Sequence, residues 1–380
     1  MKIGVLTLPL NDNYGGLLQA FALRTVLRSM GHDSIVIDRR RKRLSNIRKF
    51  ASIAKSRMLG RSIYPKLLLS EYQSGVILKE IKSFQKRYIS HFTESITTDG
   101  GMSCLNKMGF DAFVVGSDQC WRPRYLPNVR NYFLDFAENQ RNIRRIAYAA
   151  SFGVSHWEIN EPDTRACRKL ARKFDGISVR EDTGVALVKK YLGRDDAVHV
   201  VDPTMLISAE QYMEIFANED APRVSGDLKV YILDKNQEKD LMTQQIAARF
   251  GWNLFEMQPH KRLGSEKVTD DNAGDFSYPN PVQWVRGFRD AKFVVTDSFH
   301  GVVFSILFNV PFIAIGNVNR GLARFESLLS KLGLSNRFVT DLSPDKINDA
   351  ISQEIHWHRV NAIVENERSK SMDFLKKHLQ

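Results

Sequence analysis

Short runs of β-branched and aromatic residues alternate with stretches whose apolar positions recur at helical spacing, and this alternation runs through most of the chain. Residues 2 to 8, KIGVLTL, read as a strand, NDNYGG as a polar turn, LLQAFALRTVLRSMG as a helix ended by Gly31, and SIVIDRR as a second strand. A β-loop-α-β order with glycines at the first turn is how a doubly wound domain begins. The pattern loosens into basic, amphipathic helical segments from about 45 to 108, read as an insertion or cover over the first domain. It tightens again at DAFVVGSDQCWRP, with a strand from Ala112 to Val115, then at RIAYAASFG and DGISVREDTGVALVKKYLG. VHVVDPTMLI reads as a further strand, with Asp202-Pro203 as a structural turn closing the first half.

The polar stretch NEDAPRVSGD separates a second series of the same kind. LKVYILD is a strand, QEKDLMTQQIAARFG a helix, NLFEMQ a strand and PVQWVRGFRDA a helix; FVVTDSFHGVVFSILFN, residues 293 to 309, passes from buried strand to polar tip to helix; PFIAIG is the next strand. The expected architecture is α/β, with two Rossmann-like domains facing across a cleft. Residues 1–207 form the first, on the acceptor side, with the insertion at about 45–108; residues 208–354 form the second; a helical segment at 355–380 packs back on the first.

Length and composition agree with that division, since 380 residues exceed a single hydrophobic core and 43% hydrophobic with 26% charged content suits a soluble enzyme. No apolar run reaches the length of a membrane span, and the N-terminus lacks the cleavage site of a signal peptide. Cys104, Cys120 and Cys167 are odd in number and widely spaced, against a disulfide framework or a CxxC metal site, and a reducing cytoplasm fits best. The formal charge of +12 favours an anionic partner. Much of it lies in RRRKRLSNIRKF, so the segment Arg39 to Lys49 is read either as a solvated loop or as a contact with anionic lipid at the inner membrane face. No zinc finger, homeodomain or aromatic-basic RNA signature accompanies it, which excludes nucleic acid as the expected partner.

Candidate chemistry gathers at the strand tips, because ligands in open α/β sheets collect beyond the carboxyl ends of strands, where the next helix presents its N–H groups. His300 stands at such a tip, after Thr296, Asp297 and Ser298; taken alone, a histidine there more commonly caps the helix or bonds backbone. Gly15 and Gly16 let backbone approach a ligand, with Asn13, Tyr14 and Gln19 as polar contacts, although neither GxGxxG nor GxxxxGK occurs. Asp118 and Trp121 suit a sugar, whose apolar face an indole covers while a carboxylate holds hydroxyls; a helix cap and a core indole fit them equally. Ser151 follows one strand and Arg180 another, beside Glu181 and Asp182, while Arg320 and Arg324 precede an apolar helix face on the His300 side. Arginine suits forked recognition of carboxylate or phosphate. His356 and His358 diverge on a helix, so no metal is required.

The strings NYGGLLQAFAL, VVGSDQCW, YAASFG, SVRED, VDPTMLI, TDSFHGVVFSILFNVPFIAI and NRGLARFESLL, in this order and spacing, resemble the polysaccharide pyruvyl transferase family. The resemblance leaves out 45 to 108 and the C-terminal tail. It implies a GT-B-like pair of domains and transfer of the enolpyruvyl group of phosphoenolpyruvate, the donor substrate, onto a sugar as a pyruvate ketal, with no other cofactor. The implied acceptor is a lipid-linked sugar of a capsular, exopolysaccharide or other envelope glycan. Many members carry an arginine just before the histidine; here Ser298-Phe299 precede His300, so Arg180, then Arg324 or Arg320, is expected to hold the donor's anions, with Ser298 and Gly301 beside them. His300 is then the expected proton donor and Asp118 the group that orients or deprotonates the acceptor hydroxyl. A GT-B glycosyltransferase using a nucleotide sugar and a non-catalytic scaffold for envelope assembly are the competing readings.

Overall fold

The computed structural model describes residues 1–42, 69–222, 225–317 and 320–380. The first half holds β1 (Lys2–Leu6), β2 (Asp33–Val36), β3 (Ala112–Val115), β4 (Arg144–Ala150), β5 (Gly176–Val179) and β6 (Val198–His199) in a parallel sheet of order β2-β1-β3-β4-β5-β6. The second holds β7 (Leu228–Tyr231), β8 (Leu254–Glu256), β9 (Phe293–Thr296), β10 (Phe312–Ile315) and β11 (Phe338–Val339) in the order β11-β10-β9-β7-β8, also parallel. AFVV, GISV, LKVY, FVVT and FIAI are buried at every position, as central strands covered on both faces must be.

Helix α1 (Tyr14–Ser29) is buried around most of its circumference, which is why its sequence is apolar beyond a single stripe. It lies between the halves: Tyr14 stacks on Trp284 at 5.3 Å and Phe21 on Phe216 at 5.5 Å. One hydrophobic cluster therefore runs from Ile3 and Leu17 through Tyr212 to Trp284, Phe304 and Phe312, joining both sheets through a shared core.

In the second half, α2 (Phe299–Leu307) follows β9 and α3 (Ala323–Lys331) follows β10. The terminal helix α4 (Trp357–Leu379) crosses to the first half, where Ser371 Oγ accepts from Val201 N at 3.0 Å and Arg368 Nε donates to the Met205 carbonyl at 2.7 Å.

Several details depart from the sequence reading. β6 is only two residues long, because Asp202 accepts from Thr204 N at 3.0 Å and Pro203, lacking an N–H, starts a short helical turn over Pro203–Leu206. β11 is too short to leave a periodic signal. The segment 45 to 108 lies partly outside the described residues; its described part does more than cover the first half, since the Ile77 carbonyl accepts from Tyr278 N at 3.1 Å and Gln73 Nε2 donates to Asp270 at 2.9 Å in the second.

The basic segment is described only over its first four residues. Arg39 is buried, giving Nε to Asn131 at 2.8 Å and Nη2 to Asp99 at 2.6 Å, and Arg41 Nη2 donates to the carbonyls of Arg124 and Leu126. Arg39 is thus turned inward, whereas Arg40, paired with Asp38, Arg41 and Lys42 are exposed, and the rest of the segment through Lys49 lies outside the described residues. Among the described residues no helix is long and apolar enough to cross a membrane.

Candidate active site

The carboxyl ends of the two sheets face each other, and the chemistry sits where they meet. The start of α2 is set by Ser298, whose hydroxyl accepts from Gly301 N at 3.4 Å, and Gly301 lets the helix close on Thr296: a β-carbon there would lie 2.3 Å from Thr296 Oγ1. Ser298 and Gly301 thus serve the helix start and aim His300 across the cleft. Gly15, in the first turn of α1, accepts the ring; a β-carbon at Gly15 would meet His300 Nδ1 at 2.0 Å. The N-termini of α1 and α2 therefore converge here, and their partial positive charges add.

Three residues from separate strand ends of the first half complete the cluster. Asp118, at the tip after β3, takes the left-handed φ of 66°, a conformation that costs a non-glycine residue and is retained where its surroundings fix it. Arg180, after β5, donates Nη1 to Asp202 Oδ2 at 2.7 Å and Nη2 to Asp118 Oδ1 at 3.1 Å. His300 Nε2 lies 3.5 Å from the same Asp202 oxygen, within ion-pair reach but with no hydrogen bond. All four side chains are buried. Burial opposes ionisation of both carboxyls, yet the surrounding cations win: His300 and Arg180 hold Asp202 far below the aspartate range, and Arg180, His300 and Arg324 hold Asp118 below it.

Arg324, from α3, differs from Arg180 in its pairing. It gives Nη2 to the Arg320 carbonyl at 3.2 Å, while its Nε is buried without a hydrogen-bond partner among the described residues. Burial, reinforced by the like charge of Arg180, brings it down to about 10. Arg180 and Arg324 share the ring of Phe299, their guanidinium carbons 4.7 Å and 5.6 Å from its centre. Both keep a buried Nε without a partner among the described residues, but Arg180 has its two Nη groups committed to carboxylates, whereas Arg324 Nη2 gives to a neutral carbonyl. Arg320 turns away to Asp234, with Nη2 to Oδ1 at 2.7 Å.

The acceptor-side candidates divide. Asn13 caps α1, accepting from Gly16 N at 3.2 Å, and with Tyr14 and Arg320 it lines a cavity of ≈ 510 Å³ that also involves Asp12, Gln258 and Tyr278. Tyr14 is itself largely enclosed and donates its hydroxyl to the Pro279 carbonyl at 2.7 Å. Gly16 faces Asp118 Oδ2. Gln19 is spent internally, donating to Thr7 Oγ1 at 2.8 Å and accepting from Ser117 N at 2.9 Å. Trp121 is not a sugar platform: it is fully buried, stacked on Phe133 at 4.7 Å, with Nε1 given to the Tyr132 carbonyl. Ser151 donates to Glu181 Oε1 at 3.0 Å.

Two acids escape the sequence reading. Asp202 looks like a turn residue in VVDPT, yet it is the carboxylate closest to His300; its position after a strand, like that of Asp118, is the available signal. Glu181 also accepts from Gly153 N at 2.7 Å, its Oε2 is buried without a partner among the described residues, and burial raises its carboxyl above the glutamate range. Among the described residues no group of three or more His, Cys, Asp or Glu is placed to hold a metal ion.

A family model for polysaccharide pyruvyl transferases matches residues 13–319 of the chain. No curated protein matches it in sequence. Among solved structures it is similar to UDP-GlcNAc 2-epimerase from Methanocaldococcus jannaschii, at 11% identity and TM-score 0.51 over 94% of this chain and 93% of that one. The same epimerase in complex with UDP-GlcNAc and UDP gives 12% identity and TM-score 0.50 over 96% and 99% of the two chains. UDP-N-acetylglucosamine 2-epimerase from Rickettsia bellii gives 11% identity and TM-score 0.49 over 99% and 98%. At such identities the likeness to the Methanocaldococcus enzyme shows the fold, the GT-B-like pair of Rossmann-type domains.

Proposed function

The chain belongs to the polysaccharide pyruvyl transferase family, and from that premise we propose that it transfers the enolpyruvyl group of phosphoenolpyruvate to a hydroxyl pair on an envelope-glycan sugar carried on lipid, closing a pyruvate ketal. The observation that carries the reading is the convergence of His300 and the under-partnered Arg324 from one half with Asp202, Arg180 and Asp118 from the other.

The reaction needs a proton on the methylene carbon of the donor, which leaves the neighbouring carbon open to attack by a sugar hydroxyl. Loss of phosphate and attack by the second hydroxyl close the ring. The hydroxyls release two protons; one replaces the proton given to carbon and the other leaves with phosphate. His300 is the group suited to give and regain the first, since imidazole exchanges protons near neutral pH. Arg324 and the N-termini of α1 and α2 supply positive charge for the donor's phosphate and carboxylate. Arg180 holds Asp118 and Asp202 in place, and Asp118, held ionised, orients the incoming hydroxyl. The cavity lined by Asn13, Tyr14 and Tyr278 takes the acceptor, one residue away from Gly15 and the imidazole. No cofactor beyond the donor is invoked.

The test is phosphate release from phosphoenolpyruvate in the presence of lipid-linked acceptors bearing galactose, mannose or glucosamine. Wild-type protein should release phosphate with one of them, and His300→Ala should lose about 10²- to 10⁴-fold. Release unaltered in His300→Ala removes the assignment, and thermal stabilisation by a uridine nucleotide but not by phosphoenolpyruvate points to a nucleotide-sugar glycosyltransferase instead.

A further inference from the structure

His300 is placed where a positive charge on its ring is opposed from several sides. It occupies the first turn of α2, and Nδ1 rests against Gly15 in the first turn of α1, so both helix dipoles present their positive ends to it. Arg180 and Arg324 add cationic charge across the face of the adjacent Phe299. The side chain is also almost wholly removed from water. The opposing charges are Asp118, itself bound to Arg180, and Asp202. A general acid in such surroundings needs a carboxylate of its own.

We infer that Asp202 is the positioning residue for His300: reaching across from the opposite half, it keeps the proton on Nε2 and supplies the counter-charge that lets the imidazole serve as an acid. The carboxylate is built for this. Its Oδ1 accepts from Thr204 N at 3.0 Å and Thr204 Oγ1 at 2.7 Å, which fixes its plane; its Oδ2 takes Arg180 Nη1 at 2.7 Å and faces His300 Nε2 at 3.5 Å. That separation favours the charge without capturing the proton in a hydrogen bond, so the proton stays available for transfer. Gly15 lies against Nδ1 while Asp202 faces Nε2, so both ring nitrogens are set by contacts from the opposite half.

The inference rests on the reading of His300 as the proton donor, but its test does not use the transfer reaction. In histidine-selective ¹⁵N spectra of the wild-type protein, the neutral His300 ring should carry its proton on Nε2; a proton on Nδ1 with Nε2 bare overturns the inference, and this measurement needs no variant to fold. In Asp202→Asn, the protonation midpoint of His300 should move about one pH unit or more toward acid, since an opposite charge this close shifts a neighbour by that order. An unmoved midpoint in a folded variant shows a purely structural aspartate and overturns it equally. If both spectra agree with the inference while no acceptor gives phosphate release, the transferase reading fails and the Asp202–His300 relation stands.

Discussion

Gly15 of α1 lies directly against the imidazole of His300, so closely that a β-carbon there would meet Nδ1 at 2.0 Å and Cγ at 2.3 Å. The two residues come from opposite halves, so the contact sets both the ring and the approach of one half to the other. Gly15→Ala should displace the acid by a fraction of an ångström or more and cost about 10²-fold in turnover, the scale of a small misplacement at a reacting centre. Gly75→Ala, in a helix where an added carbon meets nothing within 4 Å, is the control: turnover should hold, and stability should rise by about 0.5–1 kcal/mol. Turnover by phosphate release and thermal melts check the pair.

Arg324 is buried with Nε unpartnered among the described residues, and on the proposed reading it is an anion contact. Arg324→Gln should raise the KM for phosphoenolpyruvate about 10- to 100-fold, corresponding to the ~1.5–3 kcal/mol of a hydrogen bond to a charged group. The unliganded variant should melt no lower than the wild type, because a poorly compensated buried charge has been removed. Phosphoenolpyruvate or inorganic phosphate should raise the wild-type melting temperature and leave that of the variant almost unchanged.

Arg180 differs in that its two Nη groups are engaged by the carboxylates of Asp118 and Asp202. Arg180→Gln strands two buried carboxylates and should cost about 3–5 kcal/mol in denaturant unfolding near neutral pH. In the wild type both acids are depressed by their cations, so their contribution is present above the ordinary aspartate value and is lost as pH falls. The gap between wild type and variant should therefore be widest near neutrality and narrow below about pH 4.

Glu181 reverses that sign. Its carboxyl is raised by burial, so the stability it lends is complete below the ordinary glutamate value and is lost as pH rises through the raised one. Glu181→Gln cannot ionise and should gain on the wild type as pH rises from about 5 to about 8, as seen in melting temperatures across that range.

The fold is readable in the sequence because its signals are local. Runs such as AFVV, FVVT and FIAI, each followed by a polar tip and a helical period, announce a strand entering a sheet covered on both faces. His300, Asp118, Arg180 and Arg324 are found by the same logic, as side chains just beyond such units. What decides their roles is not local. Arg180 is paired with residues 62 and 22 positions away, and neither partner can be chosen from sequence distance. Asp202 carries the turn chemistry of Asp-Pro and the contact to His300 at once, and only the first leaves a mark in the string. Trp121 fits a sugar platform and a core indole equally as a string, and only Phe133 and Phe152, which enclose it, decide for the core. Arg39 opens a run of basic residues and is nevertheless tied into the interior by Asn131 and Asp99.

The cavity lined by Asn13 and Tyr14 takes Gln258, Lys261, Arg262, Phe276 and Tyr278 from the stretch that follows β8. On the proposed reading the acceptor cavity draws on both halves and meets the imidazole through the consecutive residues Tyr14 and Gly15. Exchanging the stretch after β8 between relatives should then change which glycan is accepted while Gly15 and His300 stay in contact.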